Sequence, residues 1–244
     1  MRNKKLQLKD RLIISIDTNN KNEVVSLCKK ISGRVSTIKI GLELIYSVGL
    51  SIINTVKSFG YKVMLDAKLM DIPNTVNGAV AAISKLGVSA VTMHTLSGRQ
   101  VLISAQEVIE KQVKLESKLK PLLFGVTILT SLDDDDLKTL GFKENFFYSV
   151  LNLSRIAVES GLDGIICSPN EVKIIRENLG GDFYIATPGI RLSEDSAGDQ
   201  KRINTPEEAI LKGADFIIMG RSITTKKDIA RTIESCLEEI ERSL

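Results

Sequence analysis

KVMLDAKLMDIPNTVNGAVAAISKLG, residues 62–87, changes its period partway along. KVMLDAK is a short apolar run of strand type, whereas VNGAVAAISKLG spaces its apolar residues three and four apart and closes on glycine, as an amphipathic helix does. At the junction, DAKLMDIPNTV (66–76) sets two carboxylates and an ammonium directly after Val63, Met64 and Leu65. Charges at the end of a buried strand are expensive unless paired. The cluster is therefore either a structural ion-pair knot or a site whose chemistry needs it.

The same strand-then-helix unit recurs along the chain. Strand-like runs stand at LIISID (12–17), TIKIG (37–41), KVMLDAK (62–68), AVTMH (90–94), PLLFGVTIL (121–129), GIICS (164–168), DFYIATPG (182–189) and FIIMGR (216–221). Segments such as NEVVSLCKKIS, NFFYSVLNLSRIAVESG and TPEEAILKGA between them carry helical periodicity. Repeated strand and helix units in 244 residues give the expected size of an α/β (β/α)8 TIM barrel, taken as one domain over residues 1–244, and nearly continuous apolar strands suit a sheet buried on both faces. A doubly wound open sheet is the alternative, but LIISIDTNN has no Gly-x-Gly-x-x-Gly after the first strand. The DDDD run at 133–136 reads as a solvated helix start.

Composition excludes several classes of function. The 43% hydrophobic content suffices for a large core, and no stretch is long or apolar enough to span a bilayer. MRNKKLQLKD leads into no apolar signal region, so a cytoplasmic location is expected. Net charge is only +3, with no basic run interleaved with aromatics, so nucleic acid is not the expected partner. Cys28, Cys167 and Cys236 are odd in number and widely spaced, as reduced core thiols would be. With one histidine and scattered cysteines a zinc site is hard to assemble, although an all-oxygen magnesium site stays open, and acid–base work falls to Lys, Asp or Glu.

In a barrel of this kind the reactive groups stand at the C-terminal strand ends. Asp17, Lys39, Asp66 and Lys68 all fall there. Residues 66 and 68, two apart on an extended strand, are expected to share a face. Asp71 lies beyond in the loop, and Pro73 suits the first turn of the following helix. A single Asp–Lys pair reads equally well as a structural bridge; convergence of four or five charges on one rim does not. His94 is expected to be a hydrogen-bonded rim residue. After strands seven and eight, TPGIR (187–191), GDQKR (198–202) and MGRSIT (219–224) bring Arg191, Gln200, Gly220 and Arg221 to the place where barrels bind phosphate. Turn chemistry accounts for Pro188 and Gly189 but not for the arginines and the glutamine in a long stretch from Ile190 to about Asn204, which reads as a lid.

These residues resemble a known family. DAKLMDIPNTV is similar to the Asp-x-Lys-x-x-Asp-Ile-Pro-Asn-Thr signature of the orotidine 5'-phosphate decarboxylases, which complete pyrimidine nucleotide synthesis, and SID (15–17), IKIG (38–41), VTILTS (126–131), TPGIR, GDQ and GRSIT follow in the family's order. MHTLSG (93–98) departs from the family's usual fourth loop. The resemblance implies a cofactor-free homodimeric (β/α)8 barrel with shared active sites and orotidine 5'-phosphate as its small-molecule substrate. It implies Lys68 as the proton donor at C6, flanked by Asp66 and Asp71, with Lys39 completing the charge network. Asp71, Ile72 and Thr75 would serve the partner's site. Asp17 and Lys39 would meet the ribose, and Thr130 and Ser131 the pyrimidine. Arg191, Gln200, Gly220 and Arg221 would meet the phosphate, and Pro188 would be a further substrate-binding residue. Related sugar-phosphate enzymes that use magnesium share the Asp-x-Lys-x-x-Asp core, but they carry a carboxylate where this chain has Lys39 and lack Ile-Pro-Asn-Thr.

Overall fold

The computed structural model describes residues 6–116, 120–192 and 204–244. Its strands are β1 (Leu12–Ile16), β2 (Thr37–Ile40), β3 (Lys62–Leu69), β4 (Ala90–His94), β5 (Leu122–Val126), β6 (Gly164–Ile166), β7 (Tyr184–Thr187) and β8 (Phe216–Met219). The helices are α1 (Leu8–Arg11), α2 (Lys21–Lys30), α3 (Leu42–Val48), α4 (Ile52–Ser58), α5 (Pro73–Lys85), α6 (Arg99–Glu116), α7 (Asp134–Thr139), α8 (Phe146–Glu159), α9 (Val172–Leu179), α10 (Pro206–Leu211), α11 (Arg221–Thr224) and α12 (Ile229–Arg242). The eight strands close in sequence order, each parallel to the next, and β8 pairs back onto β1. This is the (β/α)8 barrel that the repeated unit predicts, with every strand in the expected place.

Alternation along each strand divides the core in two. Outward positions such as Ile14, Ile16, Ile38, Ile40, Val63, Leu65, Val91, Leu123 and Ile185 join one large buried cluster under the helices. Inward positions Ile13, Met64, Ala90, Phe124, Ala186, Phe216 and Ile218 fill the barrel itself, where the Phe124 and Phe216 rings meet edge to face at 6.2 Å. Two residues further along several strands the inward column turns polar, at Ser15, Lys39, Asp66 and Thr92. The change from apolar to polar along one column leaves a plugged lower barrel and a wet upper mouth.

Local signals end the elements as their chemistry predicts. Asp133 accepts the N–H groups of Asp135 and Asp136 at 3.0 Å each, so the acidic run caps α7. Pro73 is the first residue of α5. All three cysteines are buried and free. At the closed end of the barrel, Asp215 Oδ2 accepts the Ile185 N–H at 2.9 Å and Arg176 Nη2 at 2.6 Å, a charge pair that fastens β7 to the turn before β8. Among the described residues no helix is long and apolar enough to cross a membrane.

Candidate active site

The strand ends open into one cavity of about 1010 Å³, at the upper end of the range for small-molecule sites. Asp17, Lys39, Asp66, Lys68, Thr130, Pro188, Arg191, Gly220 and Arg221 all line it. At its floor one carboxylate holds two ammonium groups. Asp66 Oδ2 lies 2.9 Å from Lys39 Nζ and 2.8 Å from Lys68 Nζ. Burial pushes the Asp66 carboxyl up, but the two ammonium charges and their hydrogen bonds outweigh it and hold it at about 2. The group therefore stays ionised at any working pH.

Asp66 and Lys68 meet as expected, but not by strand parity. Leu65 pairs with Val91 and Leu69 with Met93, so β3 takes four steps where β4 takes two. The surplus is absorbed in a bulge within which Lys68 adopts φ 46°, the one positive φ outside glycine among the described residues. A lysine in the left-handed region is strained and needs neighbours to hold it. Thr92 does so. Its Oγ1 accepts the Lys68 N–H at 3.0 Å and donates to Asp66 Oδ1 at 2.8 Å. Nothing in the sequence singles out Thr92, whose type and place suit any buried strand.

On β1, Ser15 Oγ donates to Asp17 Oδ1 at 3.0 Å. A Cβ on Gly220 would stand 3.0 Å from Asp17 Oδ2 and 3.3 Å from Ser15 Cβ, so the close approach that favours glycine there is to β1. Across the barrel from β3, the Arg191 N–H donates to the Asn204 carbonyl at 3.2 Å, and Asn204 Nδ2 donates to Asn170 Oδ1 at 3.2 Å. These bonds close the base of the segment expected to form a lid; Gln200 and the rest of GDQKR lie outside the described residues. Behind the wall formed by Ser168, Glu171 is 3% exposed and accepts the Ser168 N–H at 2.7 Å. Burial pushes its carboxyl up to about 7 against the pull of that bond. His94, the last residue of β4, is buried and does not line the cavity; its Nδ1 accepts the Leu96 N–H at 3.4 Å, and burial together with Lys68 lowers its pKa.

Four expected residues stand apart. Ser131 is exposed and outside the cavity lining, because β5 ends at Val126 and a turn bonded from the Leu132 N–H to the Leu129 carbonyl follows. Asp71, Ile72 and Thr75 also do not line this chain's own cavity and are exposed. Asp71 Oδ1 accepts the N–H of Ile72, which is 66% exposed.

The sequence model of the "Orotidine 5'-phosphate decarboxylase / HUMPS family" matches residues 10–236. The chain is 41% identical over 229 residues to the orotidine 5'-phosphate decarboxylase of Ehrlichia canis, covering 94% of this chain and 97% of that one. It is 38% identical over 234 residues to that of Carboxydothermus hydrogenoformans, covering 96% and 97% respectively. The crystal structure of orotidine 5'-phosphate decarboxylase from Lactobacillus acidophilus superposes with a TM-score of 0.84 at 35% identity, over 95% of this chain and 99% of that one. The floor of paired charges and the match along nearly the whole sequence agree: this chain belongs to the orotidine 5'-phosphate decarboxylase / HUMPS family.

Proposed function

We propose that the protein decarboxylates orotidine 5'-phosphate to uridine 5'-phosphate in pyrimidine biosynthesis, without a cofactor, as a cytoplasmic homodimer. The observation that carries this reading is the shared oxygen of Asp66 with an ammonium on either side, 2.9 and 2.8 Å away. Breaking the bond between C6 and the carboxylate leaves an electron pair on C6 with no adjacent sink, so the protein must supply positive charge where it develops. Lys68 Nζ does this and then gives its proton to C6; water reprotonates the amine after release. A unit charge about 4 Å away at an effective dielectric near 20 contributes roughly 4 kcal/mol, and such preorganised charge is often the largest catalytic term.

The remaining wall fits the rest of the nucleotide. Asp17 and Lys39 face the ribose hydroxyls, Thr130 and Pro188 border the pyrimidine, and Arg191, Gly220 and Arg221, joined by Gln200, take the phosphate. Binding energy from the phosphate, remote from the bond that breaks, orders the site around C6. Asp71, Ile72 and Thr75 complete the neighbouring subunit's site. Their exposure supports this, as does the apolar surface on the consecutive connections after β2, β3 and β4, where Tyr46, Met70 and Leu96 are 84%, 57% and 43% exposed.

A magnesium-dependent sugar-phosphate reaction in the same family is the second reading. It is disfavoured by Lys39, whose ammonium stands where that chemistry needs a carboxylate. Assaying CO2 release from orotidine 5'-phosphate in the presence of a strong chelator separates the two. Undiminished release supports the proposal. Chelator-sensitive turnover, or turnover of a hexulose phosphate alone, refutes it.

A further inference from the structure

We infer that Thr92 is a positioning residue for the reaction, setting both the orientation of the Asp66 carboxylate and the backbone conformation that aims Lys68. The inference rests, in its kinetic part, on the decarboxylase reading; its structural part does not.

The hydroxyl of Thr92 has two partners. It accepts from the Lys68 backbone N–H at 3.0 Å and donates to Asp66 Oδ1 at 2.8 Å, from a residue 1% exposed. The first bond occupies the amide that the β3 bulge removes from the ladder between Leu65 and Leu69. The second fixes which way the carboxylate faces. With Oδ1 held by Thr92, Oδ2 is the oxygen left for both ammonium groups, and the structure shows both on it. One side chain on β4 thereby ties together the strained backbone of Lys68, at φ 46°, and the acceptor of its own ammonium. Thr92 borders the cavity, but its hydroxyl is turned to these two partners and its action on the substrate runs through Lys68.

The position separates shape from chemistry. Thr92→Val keeps the branched outline that a buried strand favours and removes only the hydroxyl, whereas Thr92→Ser keeps the hydroxyl and removes a methyl. Loss of hydrogen bonds to a charged group predicts a kcat lower by roughly tenfold to a hundredfold in Thr92→Val, with KM changed by less than about threefold. Thr92→Ser should retain kcat within about threefold. A purely structural role would instead lower the melting temperature of both variants while leaving kcat per folded molecule unchanged.

The experiment measures kcat and KM for the wild type, Thr92→Val and Thr92→Ser with orotidine 5'-phosphate, alongside a crystal structure of Thr92→Val; should that variant not fold, Thr92→Ala takes its place under the same criteria. The expected result is a kcat defect in Val that Ser rescues, together with Lys68 leaving the left-handed region and its Nζ leaving Asp66. A Val kcat within about threefold of wild type, or a Ser defect as deep as that of Val, overturns the inference. If the wild type itself releases no CO2, the decarboxylase reading falls and the crystal structure decides alone: a displaced Lys68 upholds the positioning role, and an unmoved one ends it.

Discussion

Glu171 accepts the backbone N–H of Ser168 at 2.7 Å from a position 3% exposed, so the connection that walls the cavity after β6 is held by a carboxyl buried beneath it. Burial raises that carboxyl to about 7 from an ordinary 4.5. An acid harder to ionise in the folded chain than in the unfolded one contributes stability that is complete below about 4.5 and is lost as the pH rises through about 7.

Glu171→Gln should therefore remove a pH dependence rather than simply weaken the fold. The amide carbonyl still accepts from Ser168, and no charge has to be buried. At pH 8 the variant is expected to be more stable than wild type by about 2 kcal/mol, or roughly 4–8 °C in melting temperature, with the gain gone near pH 4.5. Thermal melts at both pH values check this. Equal slopes with pH in the two proteins would show that Glu171 is not the group responsible.

Arg221 borders the cavity at the start of α11, remote in role from the charges at the floor. Arg221→Ala is expected to lower kcat/KM for orotidine 5'-phosphate by roughly a hundredfold or more, since a guanidinium on a phosphate makes strong charge-assisted bonds. For orotidine, which lacks the phosphate, the same change should matter little. An equal loss on both substrates would mean that Arg221 does not read the phosphate.

Asp71 gives the sharpest prediction about assembly. If it reaches the neighbouring barrel, Lys68→Ala and Asp71→Ala chains should each be poor enzymes alone yet recover activity when mixed and allowed to exchange subunits. In a mixed two-fold dimer one site collects both defects and the other collects none, so equal mixing should make roughly a quarter of all sites intact. Demonstrated exchange with no recovered activity would place Asp71 in its own barrel's chemistry.

The sequence makes the barrel readable because its strands are apolar on both faces and its helices close on glycine; LIISID, TIKIG and FIIMGR leave few alternatives. Asp17, Lys39 and Asp66, which line the cavity, are readable for a related reason, since charges at the C-terminal ends of buried strands are expensive unless paired or used, and several of them converge on one rim. The bulge is not readable. KVMLDAKL looks like an unbroken strand, and only pairing with β4 shows that it carries a surplus between Leu65 and Leu69. Thr92 is hidden because a β-branched residue in a strand needs no explanation. Ser131 is expected at the site through the VTILTS resemblance, yet of the two residues inside the turn from Leu129 to Leu132 only Thr130 lines the cavity. Glu171 is hidden too, since its burial depends on how the connection after β6 folds over it.

The most direct test of the account is the turnover of orotidine 5'-phosphate by the wild type and by Lys68→Ala. Removing Lys68 leaves Asp66 with Lys39 at 2.9 Å and Thr92 at 2.8 Å, so no buried charge is stranded and the fold should survive with little change in melting temperature. On the proposed mechanism, removing it also deletes both the charge that faces the carbanion and the proton that quenches it. The wild type should release CO2, and kcat for Lys68→Ala should be lower by about a thousandfold or more, equivalent to roughly 4 kcal/mol of barrier. A wild type that releases no CO2, or a Lys68→Ala chain within about tenfold of it, would contradict the account.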